Sequence, residues 1–166
     1  MVCAVAERIE GFPATEPVLV FTVLGHPQPG GSKKAHVIRR GGIPTGQVAV
    51  TDANPKAKSW QRDVRLAALD ALDGHPAFFL EPLAVTMTFY VQRPKGHYGS
   101  GRNALTLKPS APTYPTGRPD VLKLSRPTED ALTGVVYRDD SQVVDLSVHK
   151  RYGMPERAEI TIQRAA

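Results

Sequence analysis

The segment RPDVLKLSRPTEDALTGVVYRDDSQVV (118–144) holds the residue types that phosphodiester chemistry requires. Asp120 comes first, and the adjacent pair Asp139 and Asp140 follows about twenty residues later. Arg118, Lys123, Arg126 and Arg138 flank them. Clustered carboxylates repel one another, so a protein tolerates them where a divalent cation sits among them. Such a cation, ringed by basic side chains, can activate water and stabilise a phosphoryl group under attack. Only hard oxygen donors are on offer, with no His or Cys in the segment, which selects Mg²⁺ or Mn²⁺ over zinc. Taken one at a time, the same residues have plainer readings. Asp120 after Pro119 suits a helix cap, and Asp139 with Asp140 suits a turn before a strand.

Several elements must position these groups. Val18 to Leu24 is a compact apolar run that predicts a buried strand, followed by turn material from Gly25 to Lys34. Ala35 to Arg39 and Gln47 to Thr51 predict a hairpin across a loop containing Gly41, Gly42, Pro44 and Gly46. Asn54 and Pro55 open a helix that runs to Asp73, with Trp60, Val64, Ala67, Ala68, Ala71 and Leu72 on its apolar face and Gly74 past its end. Trp60 reads as a core anchor. Leu83 to Val91 alternates as a half-buried strand, and Val143 to Lys150 and Ala158 to Gln163 are two more. Pro127, with Glu129 and Asp130 in a first turn and Gly134 as a stop, describes a short helix over 127–133. Asp130, ten residues beyond Asp120, is turned about 80° from it on a regular helix, which makes it either structural or a support behind the ligands. The whole predicts an α/β (α+β) fold: one domain over 17–166 with a mixed central sheet of five or six strands and two helices, after a tail over 1–16.

Charge points to a polyanion. The net charge is +5, and from Arg93 to Arg126 there are seven Lys or Arg residues against one acid, Asp120. Phosphate neutralisation by such a block releases counterions and makes binding salt-dependent. Lys33, Lys34, Arg93, Lys95, Arg102, Lys108, Lys150 and Arg151 are the expected DNA contacts. The stretch from Pro94 to Gly117 is a long loop rich in Gly, Pro and basic residues. In it, His97 and Tyr98 either stack on an exposed base or sugar or pack locally. No run is apolar enough to cross a bilayer, and Glu7 and Glu10 interrupt any signal-peptide core. The single cysteine, Cys3, excludes an intramolecular disulfide and fits a reducing cytoplasm.

Order and spacing together resemble the RusA family of Holliday-junction-resolving endonucleases, many of them encoded by phages and prophages. Pro119, Asp120, Lys123, Leu124 and Arg126 match the first part of its motif; Asp130, Ala131 and Leu132 match the second. Asp139, Asp140, Gln142, Val143 and Val144 match the third. GHPQPGGSKK (Gly25 to Lys34), TDANPKAKSW (Thr51 to Trp60) and RPKGHYGSGRN (Arg93 to Asn103) are similar to further family segments. The resemblance implies a homodimer acting on four-way junctions in DNA recombination and repair. Asp120, Asp139 and Asp140 would hold the metal, and Lys123 or Arg126 would neutralise the developing charge. One departure stands out: Leu122 occupies the place of the family's usual second Asp. The expected activity is metal-dependent cleavage of branched DNA. A weak or inactive branched-DNA-binding protein, and a nuclease for flapped DNA or RNA, are the competing expectations.

Overall fold

The computed structural model describes residues 19–31, 33–52, 54–74 and 79–165. The tail expected over 1–16, Cys3 included, lies outside the described residues. In chain order the elements are β1 (Leu19–Leu24), β2 (Lys33–Arg40), β3 (Ile43–Asp52), α1 (Lys56–Leu72), β4 (Leu83–Val91), α2 (Val121–Leu132), β5 (Val143–Tyr152) and β6 (Arg157–Arg164). Among the described residues this is a mixed α/β fold with two α-helices and six strands. The strands divide unequally: four form one sheet in the order β1-β6-β4-β5, while β2 and β3 form a separate antiparallel hairpin. The hairpin stands apart from the large sheet, and every residue from Ala35 to Val48 is exposed.

Within the large sheet, β6 runs antiparallel to both β1 and β4, whereas β4 and β5 are parallel. A parallel pair cannot be joined by a tight turn, so the chain must cross over between them. That crossover carries the basic loop, Asp120 and α2. One face of the sheet is apolar in register: Val85, Met87 and Phe89 sit beside Ile162, Ile160 and Ala158, which sit beside Leu19, Phe21 and Val23. α1 packs on β1, α2 on β5, and the helices on each other.

Local chemistry explains both helices. The Asn54 side-chain oxygen accepts the Lys56 N–H at 3.1 Å, and Pro55 presets the first turn. Ala57, Trp60, Val64, Ala68 and Leu72 form the buried stripe, and Asp73 ends α1 in the left-handed region, followed by Gly74. Trp60 is the core anchor expected, and its indole N–H does more: it donates to the Thr128 hydroxyl of α2 at 3.0 Å. Thr128 in turn donates to the Leu124 carbonyl at 2.9 Å.

α2 corrects the expected short helix over 127–133. It is continuous from Val121 to Leu132, with Pro127 inside it. A proline there removes the N–H that would reach the Lys123 carbonyl. That carbonyl instead accepts the Gly30 N–H at 2.6 Å. The loop after β1 therefore supplies the bond the proline cannot make, and the helix runs on.

Thr128→Val should leave the buried Trp60 N–H unpaired and lower unfolding free energy by about 1–3 kcal/mol in urea titration, whereas Thr128→Ser should restore most of the loss. Equal stability of the Val variant would refute a structural role for this bond.

Candidate functional site

An open cleft of about 450 Å³ forms where the loop after β1 meets the start of α2, lined by Pro29, Gly30, Gly31, Asn54, Arg118, Pro119, Asp120 and Lys123. Three bonds fix its walls. Gly30 is held by Lys123 as described, in a space where a Cβ would approach Pro127 Cδ to 3.4 Å. Asn54 Nδ2 donates to the Pro29 carbonyl at 2.8 Å, tying the loop to α1. Lys150 Nζ, on β5, donates to the Gly117 and Pro119 carbonyls at 2.6 and 2.8 Å, fixing the backbone immediately before Asp120.

Asp120 occupies the N-cap position of α2, yet its side chain makes no capping hydrogen bond. The plain capping reading therefore does not describe it. Its carboxylate instead faces Lys123 Nζ at 3.3 Å, with 60% of the side chain exposed. An exposed carboxylate without a capping bond is suited to meet a cation, and Lys123 and Arg118 beside it in the cleft are suited to meet phosphate.

Asp139 and Asp140 sit differently. Asp139 caps the 3-10 turn Asp140–Gln142, accepting the Ser141 N–H at 2.9 Å, while Gln142 Oε1 accepts the Asp139 N–H at 3.1 Å. Ser141, through its side chain first and its backbone N–H second, holds the Asp139 carboxyl below the usual carboxylate range. Asp140 lies within electrostatic reach of Glu129, on the last turns of α2. Burial, then Asp140, then Asp130, pushes the Glu129 carboxyl up, and burial first of all raises the Tyr137 phenol. Glu129 stands nine residues from Asp120, about 13 Å along a helix at 1.5 Å per residue. Among the described residues, no three His, Cys, Asp or Glu side chains are gathered to hold a metal ion. The donor chemistry fits a hard cation, but Asp120, Asp139 and Asp140 do not form one ligand group within the described chain.

The remaining expected site residues have distinct placements. Leu122 is 71% exposed and does not line the cleft. Arg126 is exposed on α2, and Asp130 borders a hollow of about 350 Å³ with Lys58, Arg62 and Arg65 of α1. Arg93 stacks over Tyr152 at 4.0 Å and donates to the Pro112 carbonyl at 2.7 Å. Lys108 Nζ donates to the Gly96 carbonyl at 2.8 Å. Arg151 lies over Tyr114 at 5.1 Å and donates to the Lys150 carbonyl at 3.0 Å. Lys95 and Arg102 are exposed, while the side chains of Lys33 and Lys34 lie outside the described residues. The His97 ring meets Tyr152 edge-on at 5.7 Å, and the backbone of Tyr98 bridges to that of Leu107. Asn54, Gly30 and Gly31 are cleft residues absent from the expected set, while Arg118 was expected as a flanking cation. Lys58, Arg62 and Arg65 are a basic stripe that their i, i+4, i+7 spacing could have revealed.

The family described as endodeoxyribonuclease RusA matches residues 26–163, so the chain belongs to the RusA endodeoxyribonuclease family. It is also similar to the uncharacterized protein YqaN of Bacillus subtilis (strain 168), with 33% identity over 147 residues, covering 88% of this chain and 96% of the relative. The matched span includes the cleft, α2 and the Asp139–Asp140 turn.

Two outcomes test this geometry. Pro127→Ala restores an N–H that competes for the Lys123 carbonyl. The Gly30 amide should then exchange with solvent roughly two- to tenfold faster, as for loss of one hydrogen bond, while thermal stability holds or rises; unchanged exchange would disprove the coupling. Glu129 supplies the second. A carboxyl whose folded pKa exceeds its unfolded value favours folding at low pH, and that contribution is lost as pH rises through the folded pKa. In EDTA, Glu129→Gln should match the parent below about pH 4 and melt at a higher temperature at pH 7. A variant that melts lower at pH 7 contradicts the burial argument.

Proposed function

We propose that this protein is a structure-specific endonuclease that cuts four-way junctions or related branched DNA, acting as a homodimer. The observation that carries the reading is the Asp120 carboxylate, free of any capping bond, in a cleft with Arg118 and Lys123 in a chain of the RusA family. Lys123 and Arg118 attract and orient a phosphate at the cleft, and Arg126 adds charge outside it. Arg126 stays protonated and serves as a clamp, not a proton donor. Lys150 acts as a positioning residue here, since its ammonium is occupied by the carbonyls that precede Asp120.

Mg²⁺ or Mn²⁺ is the proposed cofactor, held by Asp120, Asp139 and Asp140; it would supply electrophilic stabilisation of the phosphoryl oxygens. Gathering these groups would accompany binding of the cation and the substrate, since among the described residues they do not stand as one ligand group. Two equivalent sites related by two-fold symmetry suit paired cuts on two strands. No helix among the described residues is long and apolar enough to span a membrane, and action on DNA in the cytoplasm is part of the proposal. A second reading, a branched-DNA-binding protein with little or no cleavage, is favoured by Leu122 in place of an acid.

A synthetic four-way junction with Mg²⁺, and then with EDTA, separates the two. Asp120→Asn and Asp140→Asn should each abolish Mg²⁺-dependent cleavage with junction binding retained or strengthened, because repulsion of phosphate falls. Leu122 is exposed, so Leu122→Asp should change stability by no more than about 0.5 kcal/mol, yet raise the cleavage rate or lower the Mg²⁺ needed. Tight junction binding with no cleavage in either protein would establish the binding reading. Cleavage of flaps or RNA in preference to junctions would redirect the substrate assignment.

A further inference from the structure

The β2–β3 hairpin carries a feature unlike the rest of the fold. Its strands pair with each other and make no extensive contact with another described element. From Ala35 to Val48 every residue is exposed, among them the apolar Val37, Ile38, Ile43 and Val48 at 46, 39, 71 and 59%. A lone two-stranded ribbon in water is marginal, and exposed β-branched residues on such a ribbon mark a surface that meets a partner.

The tip is built to be firm. Gly41 and Gly42, at φ +57° and +83°, make the turn, and Arg40 pairs with Ile43 across it. Arg39 Nη1 donates to the Gly42 carbonyl at 3.1 Å, and the Thr45 hydroxyl donates to the Ile38 carbonyl at 2.8 Å. Ile43 and Pro44 therefore project just past a braced turn. The charge of the ribbon names the partner: Lys33, Lys34, Arg39 and Arg40 stand against the single acid Asp52. Its root lies at the candidate site, since β2 begins just beyond Gly31 and β3 ends just before Asn54, and both residues line the Asp120 cleft. Eight residues of strand reach about 25 Å at 3.3 Å each, more than the width of a DNA duplex groove.

We propose that this ribbon is a DNA-inserting arm, and that Ile43, supported by Pro44, wedges between bases at the branch point of the substrate held at the Asp120 cleft. The inference rests on the branched-DNA reading above. Apolar side chains on basic arms can insert between base steps, and the cost of unstacking is least where stacking is already interrupted. A wedge of this kind favours a junction over a continuous duplex. The arm would thus set substrate selectivity, while the carboxylates and cleft cations act on the phosphate.

The test uses the full chain with a four-way junction carrying 2-aminopurine at the branch point, and a linear duplex of the same sequence. The parent protein should raise the 2-aminopurine fluorescence and prefer the junction. Ile43→Ser should suppress the fluorescence rise and reduce the junction-over-duplex preference about tenfold, a change of one decade in Kd ratio, with duplex affinity and its salt slope kept. Ile43→Leu should retain both signals. Because Ile43 is solvent-exposed, circular dichroism of the variants should match the parent and exclude unfolding as the cause. A parent that prefers the junction, with Ile43→Ser giving the same fluorescence and preference, overturns the arm and leaves the branched-DNA reading standing. A parent that binds no junction removes both. Loss of self-association by Ile43→Ser in sedimentation, with junction preference unchanged, would assign the arm to a second copy of the chain and overturn insertion into DNA.

Discussion

The Gly30 N–H bonded to the Lys123 carbonyl holds the candidate site together, and it exists because Pro127 cannot make the helix's own bond. A proline inside a helix ordinarily costs about 3 kcal/mol, partly from the carbonyl left without its donor. Here the orphaned carbonyl is answered from outside, by the Gly30 N–H of the loop after β1. The defect in one element is the docking point of another. A Cβ at Gly30 would lie in van der Waals contact with Pro127, so the loop sits closely on α2 at this point. Everything in the cleft is referred to this contact: the loop forms one wall, Asp120 and Lys123 the other, and the hairpin starts where the loop ends.

Around that contact the structure separates two kinds of acidic residue. Asp120 is exposed, makes no side-chain capping bond and, among the described residues, pairs with a nearby lysine. Asp139 is occupied in ordering its own turn, and Asp140 adds its field to a partly buried Glu129. The difference follows from local backbone: a helix start leaves a side chain facing outward, while a 3-10 turn draws the carboxylate onto its own N–H groups. A continuous α2 keeps the two sets at different heights along its axis. Leu122 fits this arrangement as an exposed residue with no bond to make, so the loss of an acid there carries no cost to the fold.

The basic residues divide in a similar way. Arg93, Lys108 and Lys150 spend their donors on backbone carbonyls and so order the long crossover between β4 and β5. The loop makes backbone bonds of its own, such as Gly99 N–H to the Thr106 carbonyl and Lys108 N–H to the His97 carbonyl, and the long side chains reaching back to carbonyls add to them. Arg118 and Lys123 remain at the cleft, Lys95 and Arg102 remain exposed on the loop, and Lys58, Arg62 and Arg65 follow one face of α1. Positive charge read along the chain thus resolves into struts that hold backbone carbonyls and cations left at the surface, of which Lys123 and Arg62 face neighbouring carboxylates.

Periodicity alone determined most of the elements. The alternation of β4, the apolar stripe of α1, the Gly41–Gly42 turn and the Asn54–Pro55 helix start are local signals, and each element forms close to where its residues place it. The motif likewise determined the family, because order and spacing survive in the chain itself. What tertiary structure alone decided is the set of partnerships between residues far apart in sequence. Pro127 reads locally as a helix start, and only the Gly30 N–H from across the fold shows why the helix continues. Lys150 reads as a free cation until its two carbonyl partners appear, 33 and 31 residues away. The indole of Trp60 finds Thr128 only when α1 and α2 pack together. Local sequence sets dihedral preference and amphipathic period; which donor meets which acceptor across the core depends on the packed geometry, and that is where the cleft around Asp120 was decided.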